Sequence, residues 1–388
     1  MDFTLELTDE QRALRAMLRE FADAEIAPRA AEWDRAGTFP APTIRKLGEL
    51  GVMGLPFPEQ YGGLGAGSLS MAIALEELAR VDSSVAITVA ASVSLGGAPI
   101  LTFGTEEQKQ RWLVPLARGE TIGAFASTEP GMGSDVQGLS TTARQDAHGS
   151  DWLINGTKAY ITNAGTELSA FVTTTAITGQ RDPRRAEIST FIVPVDAPGL
   201  LPQRPYDKMG WHASDTRELA YQDCRVTNDA LLGQRGAGAR VFLATLDGGR
   251  IGVAAMGVGL AQGCLEHSVA WANQRCAFGQ PIARYQAVSF ELAELKARTE
   301  AARGMVFRAA ALKDAGKQVT EEAATAKLLA SELAVDAANV AMQVHGGYGY
   351  MEDSAIPRFY RDAKILTIGE GTSEILKLVI ARQMGLSV

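Results

Sequence analysis

Apolar residues recur at helical spacing from Thr8 onward, where Thr-Asp-Glu-Gln opens the first amphipathic stretch. Thr8 and Gln11 have the spacing of a capping box, in which each side chain satisfies a backbone N–H freed at the helix start. The same spacing recurs at Thr105 and Gln108. Between them, residues 48–58 and the glycines at 62, 63, 65 and 67 interrupt the pattern, and helical texture resumes over 68–81. Residues 1–121 therefore predict an N-terminal all-helical domain.

The period then changes. Residues 141–147, 152–154, 158–162, 170–176, 188–195 and 217–224 are β-branched and aromatic runs divided by Gly, Asn, Asp and Pro. They predict a middle, antiparallel β-domain over 122–232, with Asn155-Gly156 as a hairpin turn. Residues 233–388 are rich in helix formers. Within them 317–345 hold neither Gly nor Pro, which predicts one helix of roughly 40 Å. Strands confined to the middle give an α+β class and argue against a doubly wound parallel sheet.

Composition narrows the function. The formal charge of -8 has no basic block of the kind that marks a nucleic-acid or anionic-membrane surface. Cys224, Cys264 and Cys276 form no CxxC pair, and a reducing compartment is expected. The start of the chain is acidic, and no run of about eighteen uninterrupted apolar residues occurs, so a cytoplasmic protein without membrane insertion is expected. GxGxxG, GxxxxGK[ST] and GxSxG are absent in their required contexts, and the four histidines are isolated, so no metal site is expected.

Four segments carry candidate chemistry. Phe125 to Asp135 (Phe-Ala-Ser-Thr-Glu-Pro-Gly-Met-Gly-Ser-Asp) places small hydroxyl residues before a glycine-rich turn. Asn155 to Asn163 contains Tyr160 and Thr162, placed by strand alternation on one face. Gln343 to Tyr350 ends a long helix in glycines, which permit close backbone approach. Ile368 to Ile375 (Ile-Gly-Glu-Gly-Thr-Ser-Glu-Ile) sets Glu370 between two glycines before an apolar helical run. Any one of these is compatible with an ordinary loop, hairpin or helix cap, but all four lie in one chain in one order.

Together they resemble the acyl-CoA dehydrogenase family over essentially the whole chain. Further matching pieces are Leu246 to Gly252, Arg275 to Gln280, and the run 343–362 with Asp353, Arg358 and Asp362. The resemblance implies an N-terminal helical domain, a middle β-domain and a C-terminal four-helix bundle. It also implies FAD, a homotetramer built as a pair of dimers, an acyl-CoA substrate, and an electron-transferring flavoprotein as electron acceptor. By position, Phe125, Thr128, Tyr160 and Thr162 would surround the flavin ring. Arg275, Phe278, Gln286, Gln343, Gly346 and Gly347 would hold its pyrophosphate and adenine end across a subunit interface, with Thr372 and Glu374 adding contacts. Arg275 suits that role because a guanidinium can grip phosphate with two hydrogen bonds.

The chemistry implied is α,β-dehydrogenation of an acyl-CoA thioester to the trans-2-enoyl-CoA. Glu370 would abstract the α-proton and the flavin would accept the β-hydride. Ser134, Asp247, Arg250 and Gly371 would position the thioester and the base. Some relatives carry their base in the Leu-Asp-x-x-Arg segment, where this chain has Gly249. Members with short or medium straight-chain substrates often have Tyr before the base, where this chain has Gly369. The segment from Leu246 to Gly252 nonetheless points to short, butyryl-like acyl groups. The alternatives are an oxygen-using flavin oxidase of the same fold and a catalytically silent acyl-CoA-binding scaffold.

Overall fold

The computed structural model describes residues 6–182 and 185–387. Seven helices come first: α1 (Asp9–Phe21), α2 (Ala27–Ala36), α3 (Ala41–Glu49), α4 (Gly67–Ala79), α5 (Ser83–Ala90), α6 (Ala98–Phe103) and α7 (Glu106–Ala117). Both capping boxes form, at Thr8/Gln11 and Thr105/Gln108. Helix α4 has no cap in its own sequence. The Asp314 carboxylate, from the far end of the chain, accepts from Ser68 N at 2.6 Å and Leu69 N at 2.9 Å and takes the place of a local cap.

The sheet contains β1 (Ile122–Ala126), β2 (Thr142–Gln145), β3 (Asp151–Thr162), β4 (Ser169–Asp182), β5 (Arg185–Pro194), β6 (Leu200–Pro205), β7 (Thr216–Thr227) and β8 (Leu231–Leu232). Its order is β6-β7-β3-β2-β4-β5-β8, with β1 beside β4. Most pairings are antiparallel as expected, but β1 runs parallel to β4, and β2 meets β4 in a parallel bridge.

Asn155-Gly156 is not a hairpin turn. It lies inside the continuous strand β3, at a register shift between Ile154 and Gly156. Asn155 spends its turn-forming side chain on a neighbouring strand: Nδ2 donates to Asp223 Oδ1 and Oδ1 accepts from Asp223 N, both at 2.9 Å. Gly156 is needed because a Cβ there would lie 2.5 Å from Thr141 Oγ1.

The C-terminal part comprises α8 (Gly238–Gln274), the small hairpin β9 (Cys276–Ala277) and β10 (Gln280–Pro281), α9 (Gln286–Asp314), α10 (Thr320–His345), α11 (Ile356–Ala363) and α12 (Ser373–Gln383). Helix α10 starts at Thr320 rather than at residue 317. Gly316, with φ +69°, closes α9, and Lys317 N bonds back to Leu312 O at 3.0 Å. Helix α8 packs on α10, α9 and α4, so one apolar core runs through both helical layers, while the sheet has its own. Residues 83–103 and α8 are long and apolar enough to cross a membrane by composition, although no uninterrupted apolar run marks them. In both, most of the apolar window, 72% and 67%, is buried inside the protein.

Three layers meet at Asp362 on α11. It accepts from Ser83 Oγ (2.7 Å) at the start of α5 and from Trp211 N (2.6 Å) in the loop between β6 and β7. Trp211 Nε1 in turn donates to Ser83 Oγ at 3.0 Å. Complete burial, and after it the nearby Asp82, push the Asp362 carboxyl up to about 6. A carboxyl raised in the folded state favours folding below its unfolded pKa, and that contribution fades as pH rises through the folded value. Asp362→Asn, which cannot ionise, is therefore expected to lose less Tm than the wild type between about pH 4 and pH 6. Parallel Tm-against-pH curves for the two proteins would contradict this.

Candidate active site

Glu370 sits in the turn between residues 364–367 and α12, with φ +56°, a left-handed conformation that few non-glycine residues adopt. Gly371 follows at φ +95°. The turn is held from both sides. Thr372 caps α12 by accepting from Ile375 N at 3.3 Å, and Ser373 Oγ donates to Glu332 on α10. Lys327, fully buried on α10, donates from Nζ to Gly371 O at 2.7 Å.

The Glu370 carboxylate rests against α8 at Gly249. A Cβ at Gly249 would lie 2.6 Å from Glu370 Oε2 and 2.8 Å from Leu95 Cδ2. Leu95 belongs to a π-helical stretch, Ala91–Gly97, that joins α5 to α6. Such a widened turn is often found beside functional sites. Oε2 is buried and has no hydrogen-bond partner among the described residues. Burial pushes the Glu370 pKa up, while the charges of Arg250 and then Lys327 pull against it. A carboxylate so placed binds a proton more readily than one in water. Arg250 is itself buried, with Nη1 3.5 Å from Asp247 Oδ1; Asp247 Oδ2 also accepts from Thr320 Oγ1 at 2.9 Å.

A second group lies where the sheet meets the start of α8. Phe125 is in β1, its ring 6.3 Å from that of Phe242 and nearly parallel to it. Thr128 O accepts from Ala159 N of β3 at 2.9 Å, which ties the loop after β1 to β3. Tyr160 is 67% exposed with φ +60°, its ring 5.3 Å from that of Tyr206, and Thr162 is half-buried at the end of β3. Beneath them Lys158 and Glu129 form a buried ion pair of 2.9 Å. Glu129 also accepts from Ser140 N and Thr141 N. Burial opposes ionisation of Glu129, but these bonds and Lys158 hold its carboxyl down to about 2. Ser134 lies on the exposed stretch that follows and has no hydrogen-bond partner among the described residues.

The third group is at the other end of α8. Arg275, Gly346 and Gly347, with Trp271 and Tyr348, line a cavity of about 520 Å³. The Arg275 guanidinium lies 5.4 Å over the Tyr348 ring and has no acceptor among the described residues, and a Cβ at Gly346 or Gly347 would meet nothing within 4 Å. A free guanidinium over a glycine turn fits a diphosphate. Gln286 opens α9 and Gln343 is in the last turn of α10. Phe278, 96% exposed, stands at the tip of the β9–β10 hairpin with φ +50°. Thr372 is engaged as a helix cap and Glu374 is exposed in the first turn of α12.

Several features of this site are not marked by the sequence motifs: Lys327, Leu95 and Phe242, and the pairing of Glu129 with Lys158, which lie in two separate motifs. A lone lysine in the small apolar run Ala-Thr-Ala-Lys-Leu-Leu-Ala, and a lysine among the inward positions of β3, are the signals that could have flagged two of them.

A sheet flanked by helical layers, with a carboxylate oxygen buried beside a helix glycine, defines an α+β protein with a candidate base at Glu370. Its relatives narrow this further. The chain matches the N-terminal, middle and C-terminal domains of acyl-CoA dehydrogenase over residues 8–120, 124–224 and 236–385. It is 50% identical over 98% of its length, and 99% of the relative's, to a probable acyl-CoA dehydrogenase of Bacillus subtilis. It is 44% identical over 97% of its length, and 90% of the relative's, to the bovine mitochondrial short-chain specific acyl-CoA dehydrogenase. The solved butyryl-CoA dehydrogenase of Megasphaera elsdenii superposes with a TM-score of 0.95 at 41% identity, each chain fully covered. The chain belongs to the acyl-CoA dehydrogenase family, whose members depend on FAD.

Gly249 limits where the Glu370 carboxylate can lie. Gly249→Ala is expected to displace the Glu370 carboxylate and slow flavin bleaching by an acyl-CoA about ten- to a hundredfold, with FAD content unchanged. A variant that bleaches at the wild-type rate would show that the carboxylate does not need this space.

Proposed function

We propose that this protein is an FAD-dependent acyl-CoA dehydrogenase that oxidises short acyl thioesters to trans-2-enoyl-CoA, with Glu370 as the base. The observation that carries this is the buried, partnerless Oε2 of Glu370 against Gly249. An α-hydrogen beside a thioester is a weak acid, so its base must be screened from water and raised in proton affinity. Burial does this for Glu370, and the charges of Arg250 and then Lys327 pull the other way. Gly369 and Gly371 leave room for the thioester against the turn. Asp247 and Arg250, one helical turn apart on α8, are suited to orient it, and Ser134 would contact it from the loop after β1.

FAD, when bound, accepts the β-hydride. Phe125, Thr128, Tyr160 and Thr162 would hold its ring. Arg275, Phe278, Gln286, Gln343, Gly346 and Gly347, with Thr372 and Glu374, would hold the remainder. The ring set and the group around Arg275, Gly346 and Gly347 are at opposite ends of α8, whose 37 residues span about 55 Å, longer than an extended FAD, whereas Thr372 and Glu374 follow Glu370 near the start of α8. That separation supports a site completed by a second copy of the chain, hence the homotetramer built from dimers. The bare ring of Phe278 supports the same reading. An electron-transferring flavoprotein as acceptor is supported by the family's link to that partner. Three free cysteines support a cytoplasmic setting. An oxygen-using oxidase or a silent scaffold finds no comparable support.

Anaerobic titration of the purified protein with straight and branched acyl-CoA thioesters tests the reading. The flavin absorbance is expected to bleach, most readily with butyryl-like chains. A protein that is yellow but bleaches with none of them, or that binds no flavin, would overturn it.

A further inference from the structure

Lys327 is a buried ammonium in a place where a neutral donor would have sufficed. Its one hydrogen bond among the described residues goes to Gly371 O, at 2.7 Å, and it makes no ion pair within 4 Å there. Taking an ammonium out of water is costly, and a glutamine or serine could satisfy a carbonyl. The charge therefore asks for a separate explanation. Burial is the largest influence on Lys327; next is attraction to Glu370, and repulsion by Arg250 and attraction to Glu332 follow. The strongest charge attraction on it thus comes from the carboxylate one residue before the carbonyl that it holds.

The placement matters chemically. An ammonium bonded directly to the Glu370 carboxylate would occupy the lone pair needed for the α-proton and lower its basicity. Bonded to the adjacent carbonyl, the same ammonium fixes the turn and leaves Oε2 free. Helix α10 grips the turn a second time through Glu332 and Ser373, so its rigid frame sets where the base points. Because Glu370 has a left-handed backbone, a turn released from this grip would relax away from it.

We propose that Lys327 is a positioning residue for Glu370: its ammonium holds the Gly371 carbonyl and supplies the charge field in which the carboxylate takes and releases a proton. The proposal rests on the reading of Glu370 as the base.

Its test uses full-length holoenzyme carrying Lys327→Met, Lys327→Gln or Lys327→Arg. The protonated-carboxyl infrared band that Glu370→Gln removes is titrated with pH in the absence of substrate. Without the ammonium, the Glu370 band is expected to persist to higher pH in the Met and Gln variants. In Lys327→Arg, which keeps the charge, it should return toward the wild-type titration. Bleaching by an acyl-CoA thioester should slow about ten- to a hundredfold in Lys327→Met at neutral pH, with FAD content retained. If Lys327→Met does not fold, the Gln variant carries the same comparison. An unchanged infrared titration in the neutral variants overturns the proposal, as does an Arg variant that titrates like Met. A wild type that never bleaches would instead overturn the assignment of the base, while the infrared titration still decides whether Lys327 governs Glu370.

Discussion

A half-buried glutamate with one carboxylate oxygen fully buried, unpartnered among the described residues and set against a helix glycine, is the feature to which the surrounding structure answers. Glu370 cannot sit there unless α8 lacks a side chain at residue 249, unless the turn adopts a left-handed backbone, and unless cations offset the burial. Gly249, the Gly369–Gly371 turn, Arg250 and Lys327 meet those conditions one by one. The large frame around them, α8 packed between α4, α9 and α10, keeps a turn of three residues in one place.

That frame is itself braced by charge. Glu76 and Glu77 on α4 are buried between the two helical layers. Glu76 meets Arg303 of α9 at 2.8 Å, and Glu77 meets Arg19 of α1 at 3.0 Å and Arg80 at 3.2 Å. Arg80 continues to Asp23 and to Glu266 of α8. Removing Glu77 would take a buried partner from Arg19 and Arg80 at once, a larger loss than that of a surface pair. The network joins the N-terminal and C-terminal helices across the same core against which the Glu370 turn packs.

What could be read from the sequence was what local physics decides. The capping boxes at Thr8 and Thr105, the change from helical to alternating texture and the run that becomes α10 all depend on neighbours within a few residues. What could not be read depends on distant partners. Asn155-Gly156 signals a turn, yet Asp223 holds it in a strand. Asp314 caps α4 from the other end of the chain. The Glu129–Lys158 pair joins two motifs that, on sequence alone, carry separate meanings. Glu370 was recognisable through its resemblance to a family motif, but its physical justification lies at Gly249 and Lys327, which no spacing rule connects to it.

The central claim is that Glu370, and no other group, takes the substrate's α-proton. Stopped-flow measurement of anaerobic flavin reduction by butyryl-CoA in Glu370→Gln tests it most directly, because the amide fills the same space but cannot accept the proton. The variant should retain FAD and bind the thioester while bleaching is nearly abolished. Reduction of its flavin at close to the wild-type rate would contradict the account.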